Sequence, residues 1–199
     1  MTEDEVLGYL RRPDAVLAFD TNTIFKNNPE ANRGTDLVDC INQINVSRER
    51  AIRKVVPAVV LHEKLRQMRQ AYGNKFSTSL PDQFLEEKVI DVEPFEKIHA
   101  EKAAARLWQL YPQHGDWRAF KKRRCLTCVG LPASTTTPRD GKECGATVDW
   151  LIAAQAEMNG YLLVSDDKGD EFKAVALLAR LDVTSRAAQR LLDEVTAAG

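Results

Sequence analysis

Apolar residues along this chain fall into two patterns, short continuous runs of strand length and longer stretches in which they recur every three or four positions. Thr2-x-x-Glu5 ahead of Val6, Leu7 and Leu10 has the spacing of a capping box and predicts a short helix that Pro13 ends. Ala15 to Phe19 is a continuous apolar run that stops at Asp20-Thr21-Asn22, so it reads as a buried strand delivering a polar tip. Gly34 to Val46 predicts a helix. Lys54 to Val60 reads as a β-branched strand or its approach to a second helix, which Pro57 can start. Leu61, Leu65, Met68 and Tyr72 form one apolar helical face closed by Gly73-Asn74, with Glu63 off that stripe near the helix start.

Pro94 to Tyr111 predicts another helix, with Ile98, Ala105, Trp108 and Tyr111 at helical spacing and Pro112 as its stop. A helix over Thr147 to Asn159 ends at Gly160, and Tyr161 to Val164 is a strand that runs into Ser165-Asp166-Asp167. The tail offers an apolar segment to Val183, then Thr184-Ser185 as the cap of a helix over Arg186 to Val195. Strands alternating with helices predict an α/β fold with a mostly parallel central sheet flanked by helices. The expected organisation is an N-terminal helical extension over 1–14 and one domain over 15–199. An insertion at about 112–144 precedes the helix that begins near Asp149, since that stretch is too long for an ordinary connection. No internal repeat is visible.

In such a fold, sites form outside the carboxyl ends of the strands. Two of the predicted strands end in aspartates, so Asp20 and Asp166-Asp167 converge if those strands are neighbours, at an edge that helix starts carrying Glu63 and Asp149 can also reach. Grouped carboxylates repel and raise one another's pKa unless a cation neutralises them, so the pattern implies a metal site or an acid/base pair. Oxygen ligands suit Mg²⁺ or Mn²⁺, which can activate water for phosphodiester cleavage.

Charge adds to this picture. The chain has 199 residues, 44% hydrophobic and 29% charged, with a formal charge of -1, which excludes gripping nucleic acid by overall positive charge alone. Locally the balance is uneven. Positions 48–75 hold eight Lys or Arg against two acids and positions 101–124 seven against two, whereas 140–171 holds eight acids against Lys142 and Lys168. The apolar runs are far shorter than the roughly 20 residues of a membrane span, and the acidic start, Thr2 to Glu5, has no secretory character. No membrane partner is expected, and a cytoplasmic location follows by default. The four cysteines are read as thiols or metal ligands rather than disulfides.

With these residues in place, the chain resembles the PIN domain, the nuclease fold of VapC-type toxins and related RNA-processing enzymes. Val16 to Asn22 is similar to the family's opening strand and Asp-Thr-Asn motif, and Val56 to Glu63 to its second motif with a glutamate. Asp149 to Ala156 is similar to its aspartate-led helix, and Leu162 to Asp167 to its strand ending in Ser or Thr with an acid two positions on. The likeness spans Val16 to about Val195. It implies a metal-dependent endoribonuclease leaving a 5′-phosphate, with Asp20, Glu63, Asp149 and Asp167 as the catalytic, metal-binding quartet and Asn22 and Ser165 in support. The family often closes with an Asp-Phe pair, where this chain has Asp170-Glu171-Phe172, so Asp170 is the expected extra ligand, with Glu171 and Asp166 as its rivals. The chain is longer between the second and third motifs than compact toxin-type members, so only the nuclease core carries over. Beside an RNA substrate, an antitoxin-like protein partner and a homo-oligomer stay open.

Each residue also has a plainer role available. Asp20 could cap a turn, Glu63 be a solvated helix residue and Asp149 answer a helix dipole; four coincident matches favour the cluster. Lys121, Lys122, Arg123 and Arg124 either contact RNA phosphates or form a solvated face. His62, His99 and His114 show no catalytic spacing and are read as surface or packing residues. Cys125-x2-Cys128 with Cys144 has half a zinc-ribbon pattern, read first as spare thiols and alternatively as a Zn²⁺ site completed by His114. Two other functions compete with the nuclease one. A haloacid-dehalogenase-like phosphatase matches Asp20-Thr21-Asn22-Thr23 in part, but Asn22 stands where its general acid belongs. A non-catalytic RNA- or protein-binding module of the same fold is opposed by intact acids at all four positions.

Overall fold

The structure is a computed structural model that describes residues 1–25, 33–48, 51–113, 119, 146–167, 169, 171–173 and 175–198. Helix α1 (Glu3–Leu10) opens on the expected capping box, in which Thr2 Oγ1 accepts from Glu5 N at 3.3 Å and Glu5 Oε2 from Thr2 N at 2.7 Å. Strand β1 (Val16–Phe19) is buried at every position, and Asp20 caps the single turn α2 (Thr21–Ile24) that follows. Then come α3 (Arg33–Val46), β2 (Arg53–Pro57), α4 (Ala58–Tyr72), α5 (Ser79–Glu87), β3 (Asp91–Glu93) and α6 (Lys97–Leu110). Beyond them lie α7 (Ala146–Asn159), β4 (Leu162–Val164), β5 (Leu178–Ala179) and α8 (Leu181–Ala198). The insertion expected at 112–144 falls almost wholly outside the described residues.

The five strands form one all-parallel sheet in the order β3-β2-β1-β4-β5, so the chain is an α/β protein whose sheet is flanked by helices. From β1 the connections run outward through β2 to β3, then return to lay β4 against the other edge of β1. The strand order therefore reverses between β1 and β4, where Leu17, Ala18 and Phe19 stand opposite Leu162, Leu163 and Val164. A crevice opens at the carboxyl ends of two strands whose following helices diverge in this way.

β1 and β4 are apolar throughout, and β2 opens on exposed Arg53 and buried Lys54 before its valines. Leu17, Phe19, Val55, Val56, Leu162 and Leu163 are all fully buried, as a parallel sheet covered on both sides requires. Helices α3 and α1 pack on α8, and α6 and α4 pack on α7. α7 is enclosed on most of its circumference, with Trp150, Ile152, Ala153, Ala154 and Ala156 at zero exposure. Gln155, a buried polar residue of this helix, donates Nε2 to the carbonyls of Pro94 at 2.9 Å and Glu93 at 3.3 Å, which ties the helix to the end of β3. Gly160 ends α7 at a φ of 67°, where a side chain would be strained. Among the described residues no helix is long and apolar enough to cross a membrane.

Three expectations about helix faces and ends need correction. On α6 the stripe of Ile98, Ala105 and Trp108 faces outward, with Trp108 67% exposed, while His99, Ala103 and Arg106 are buried. On α4, Val60 and Met68 are buried but Tyr72 is exposed. Thr184 and Ser185 do not cap the last helix. It starts at Leu181, and their hydroxyls donate to the carbonyls of Arg180 and Leu181 one turn back, both at 2.9 Å.

A close approach fixes the entry to α3. A Cβ at buried Gly34 would fall 2.9 Å from the Thr23 carbonyl carbon and closer still to its oxygen, backbone atoms that cannot rotate aside. Gly34→Ala is expected to push α2 away from α3 and to lower the urea midpoint, since overpacking of this kind costs about 1–3 kcal/mol. An unchanged midpoint would show that this approach is not tight.

Candidate functional site

Asp20 lies where β1 meets the crevice, 1% exposed, its backbone N–H bonded to the Val164 carbonyl of the neighbouring strand at 3.2 Å. Its carboxylate accepts from Thr21 N at 2.7 Å through Oδ1 and from Ser165 Oγ at 2.9 Å through Oδ2. Ser165, at the end of β4, also accepts from Asp167 N at 3.1 Å, so one hydroxyl joins Asp20 to the turn carrying Asp167. Asn22 Nδ2 donates to Asp167 Oδ2 at 3.1 Å, and Thr21 Oγ1 donates to Glu63 Oε2 at 2.6 Å. The short turn α2 thus reaches an acid on each side of it, one on α4 and one after β4.

Asp149 comes from the first turn of α7, where the helix's own N–H groups favour a negative charge. The neighbouring Glu171 carboxyl is among the causes that raise the Asp149 carboxyl above its ordinary range, after burial and the Asp20 charge. Glu171 is fully buried, and Gly169 is small enough to clear its carboxyl group, which a Cβ there would strike.

The turn that carries Glu171 is held from α6. Arg106, 4% exposed, donates Nη2 to the Glu171 carbonyl at 3.3 Å and Nη1 to Glu157 Oε2 at 2.6 Å, while Lys102 meets the other Glu157 oxygen at 2.9 Å. Arg106→Lys keeps a charge but cannot make both bonds. It is expected to cost about 1–2 kcal/mol, read as a lower denaturation midpoint, and to loosen the Glu171 turn, read as faster amide exchange at Glu171 and Phe172. Exchange equal to the parent's would remove that role.

The electrostatics follow from burial. Asp20 is pushed up to about 7, first by loss of water and then by the Asp167 charge, with Glu63 adding to the rise and the Ser165 and Thr21 donors opposing it. Asp149 is raised by burial first, then by Asp20, by Glu171 and by Asp167. Five acids therefore feel one another in one crevice: Asp20, Glu63, Asp149, Asp167 and Glu171. Among the described residues no three His, Cys, Asp or Glu side chains stand in the compact arrangement of a ready-made metal centre. Hydroxyl, amide and carboxyl neighbours hold the acids instead.

The expected residues distribute as follows. Asp20, Glu63, Asp149 and Asp167 come together, with Asn22 and Ser165 bonded to them. Glu171 joins them, whereas Asp166 is engaged at the start of α8, its Oδ1 accepting from Leu181 N at 3.1 Å and lying 3.9 Å from Arg180 Nε. Asp170, Lys121, Lys122, Arg123, Arg124, Cys125, Cys128, Cys144 and His114 lie outside the described residues. Cys40 is half-buried, its thiol pushed up to about 11 by burial. His99 is a packing residue: its Nδ1 accepts from Glu96 N at 2.9 Å and its Nε2 meets Asn159 Oδ1 at 3.1 Å. Comparison of the chain with protein-family models and with curated protein sequences found no match.

Two residues of the site had no assigned role in the sequence. Thr21 stood inside the Asp-Thr-Asn motif, and its hydroxyl is what connects β1 to Glu63. Arg106 gave no sign, because its partners, the Glu157 carboxylate and the Glu171 carbonyl, are 51 and 65 positions away along the chain.

Proposed function

We propose that the protein is a metal-dependent endoribonuclease of the PIN type. The observation that carries this reading is the gathering of Asp20, Glu63, Asp149 and Asp167, with Glu171, at the point where strand order reverses. Burial and mutual repulsion leave Asp20 and Asp149 short of full ionisation. The all-parallel sheet and the order of the acidic motifs along it agree with the resemblance.

The donor set fits a hard cation. It is all oxygen, and Asp20 and Asp149 are raised by burial and by their acidic neighbours, a penalty that a bound cation would relieve. Asp20, Asp149 and Asp167 are the residues to hold Mg²⁺ or Mn²⁺, with Glu63 and Glu171 beside them. Such an ion supplies charge neutralisation and an acidified water for phosphodiester hydrolysis. The chain's own part is positional. Ser165 and Thr21 N fix the two Asp20 oxygens, Asn22 orients Asp167, and Thr21 holds Glu63 at the crevice. The phosphatase alternative loses support here, since Asn22 spends its amide on Asp167 and Glu63 is drawn into the cluster.

Incubation with single-stranded RNA and with p-nitrophenyl phosphate, each with Mn²⁺ and with EDTA, tests the reading. EDTA-sensitive RNA cleavage without phosphatase turnover is the expected result. Phosphatase turnover alone favours the dehalogenase-like function, and turnover of neither a binding module. Under the same proposal, Lys121 to Arg124 hold the polyanion that the acids repel. Changing all four to Ser should weaken RNA binding and flatten its salt dependence, each lost contact lowering the slope by about 0.7. An unchanged slope would leave that run a solvated face.

A further inference from the structure

We propose that the cleft one helical turn beyond Asp20 and Glu63 is a nucleobase subsite, which seats the base of a nucleotide next to the phosphate at the acids. This rests on the nuclease reading above and deepens it.

The cleft has a volume of about 210 Å³ and lies between α2, α4 and α5. Ile24, Phe25 and Met68 form a buried floor, Phe84 is a half-buried wall, and Leu80 stands 61% exposed at the mouth. The Phe25 and Phe84 rings are 5.8 Å apart and inclined by 52°. Lys64 lines the same cleft, its Nζ 5.7 Å from the Phe25 ring centre and donating to the Phe25 carbonyl at 3.2 Å.

Position links this cleft to the acids. Asp20 caps α2 and Ile24 ends it, so the floor is one turn, about 5 Å, from the capping carboxylate. Glu63 and Lys64 are consecutive on α4, and Met68 lies one turn further along. The bond from Thr21 Oγ1 to Glu63 holds the two elements together at their shared end. The acids and the apolar cleft are therefore adjacent parts of one surface.

The chemistry of the walls selects the occupant. A volume of 210 Å³ is below the roughly 300–1,000 Å³ of pockets for drug-sized ligands, and it lacks the length that an amphipathic helix needs to lay down successive anchors. It suits one flat ring system. Aromatic and thioether walls favour a polarisable π face over an aliphatic side chain. Lys64 Nζ, already placed beside the Phe25 ring, adds a positive charge at the cleft that complements the carbonyls of a base or its adjoining phosphate. Since every base offers a π face, the subsite should require a base without strongly choosing which.

The test uses the full chain and a set of single-stranded RNA hexamers, each with one abasic nucleotide at a different position. Binding is followed by fluorescence anisotropy in EDTA, and cleavage of the same hexamers with Mn²⁺. One abasic position should weaken binding by about tenfold. Phe84→Leu, which keeps apolar volume, and Leu80→Ser, an uncharged change at an exposed position, should each cause a similar loss on the intact hexamer and no further loss on that abasic one. The subsite is overturned if every abasic hexamer binds within twofold of the intact one, or if the losses multiply. Cleavage without base-dependent binding refutes the subsite and spares the nuclease reading. Base-dependent binding with no cleavage does the reverse.

Discussion

Asp149→Asn is expected to abolish EDTA-sensitive RNA cleavage while leaving the protein folded. The amide nearly preserves shape but cannot supply the negative charge that a cation needs. Even residues one step removed from a metal cost roughly 10–100-fold when changed, so the loss should exceed about a hundredfold. Stability should move the other way. With burial first, and then Asp20, Glu171 and Asp167, raising the Asp149 pKa, the parent carries a desolvation and repulsion cost in the absence of metal that the variant lacks. Without metal, the variant should melt at or above the parent's temperature, and Mg²⁺ should stabilise it less. Asp140→Asn, in the same acidic stretch of sequence but outside the motif, should stay within a few fold of parental turnover. Parental cleavage by Asp149→Asn, or equal inactivity of both variants, would remove the chemical basis of the nuclease reading.

The second large effect is on the pH dependence of stability. Asp20 titrates at about 7 in the folded chain and near 3.8 when unfolded, so between those values the folded state holds a proton that the unfolded state has released. Its favourable contribution is complete below pH 3.8 and is lost as the pH rises through about 7. The loss is up to about 1.4 kcal/mol per pH unit and at most about 4 kcal/mol across the window. Urea midpoints in EDTA, taken every half unit from pH 4 to 8, should therefore fall with pH more steeply for the parent than for Asp20→Asn. Saturating Mg²⁺ should reverse the trend, because a cation competes with the proton for the same oxygens. Parallel curves for parent and variant would mean that Asp20 is not desolvated as the fold implies.

Much of this was readable from the chain because local and tertiary preferences agree there. β1 and β4 are continuous apolar runs that the sheet buries on both faces, and their polar ends carry Asp20 and Asp167. Other features have no local signal. β3 has three residues, only one of them apolar, and owes its existence to pairing with β2. α5 begins with a proline in its first turn, which fits a helix but reads equally as a loop. β5 has two residues.

The inverted face of α6 has a more instructive cause. Hydropathy sends His99 and Arg106 outward, yet each is buried because a partner some 50 to 65 residues away satisfies it: Asn159 for His99, Glu157 and the Glu171 carbonyl for Arg106. A buried polar residue follows its partners rather than its hydropathy. The same reason hid the place of Glu171. Asp170 and Glu171 are indistinguishable as neighbours in sequence, and only the turn held by Arg106 sets Glu171 against Asp149.

At the opposite end of the crevice strands, the hydroxyl of Tyr9 accepts from the N–H groups of Val16 and Leu162, both at 3.2 Å, and faces the carbonyls of Val16 and Gly160, both at 3.1 Å. One phenol from α1 thereby rivets the amino ends of β1 and β4. The carboxyl ends of the same pair are joined in turn, by Asp20 N to the Val164 carbonyl and by Ser165 Oγ to the Asp20 carboxylate. Helix α1 is in that sense a clamp on the register of β1 and β4, and the register is what sets Asp20 level with Ser165.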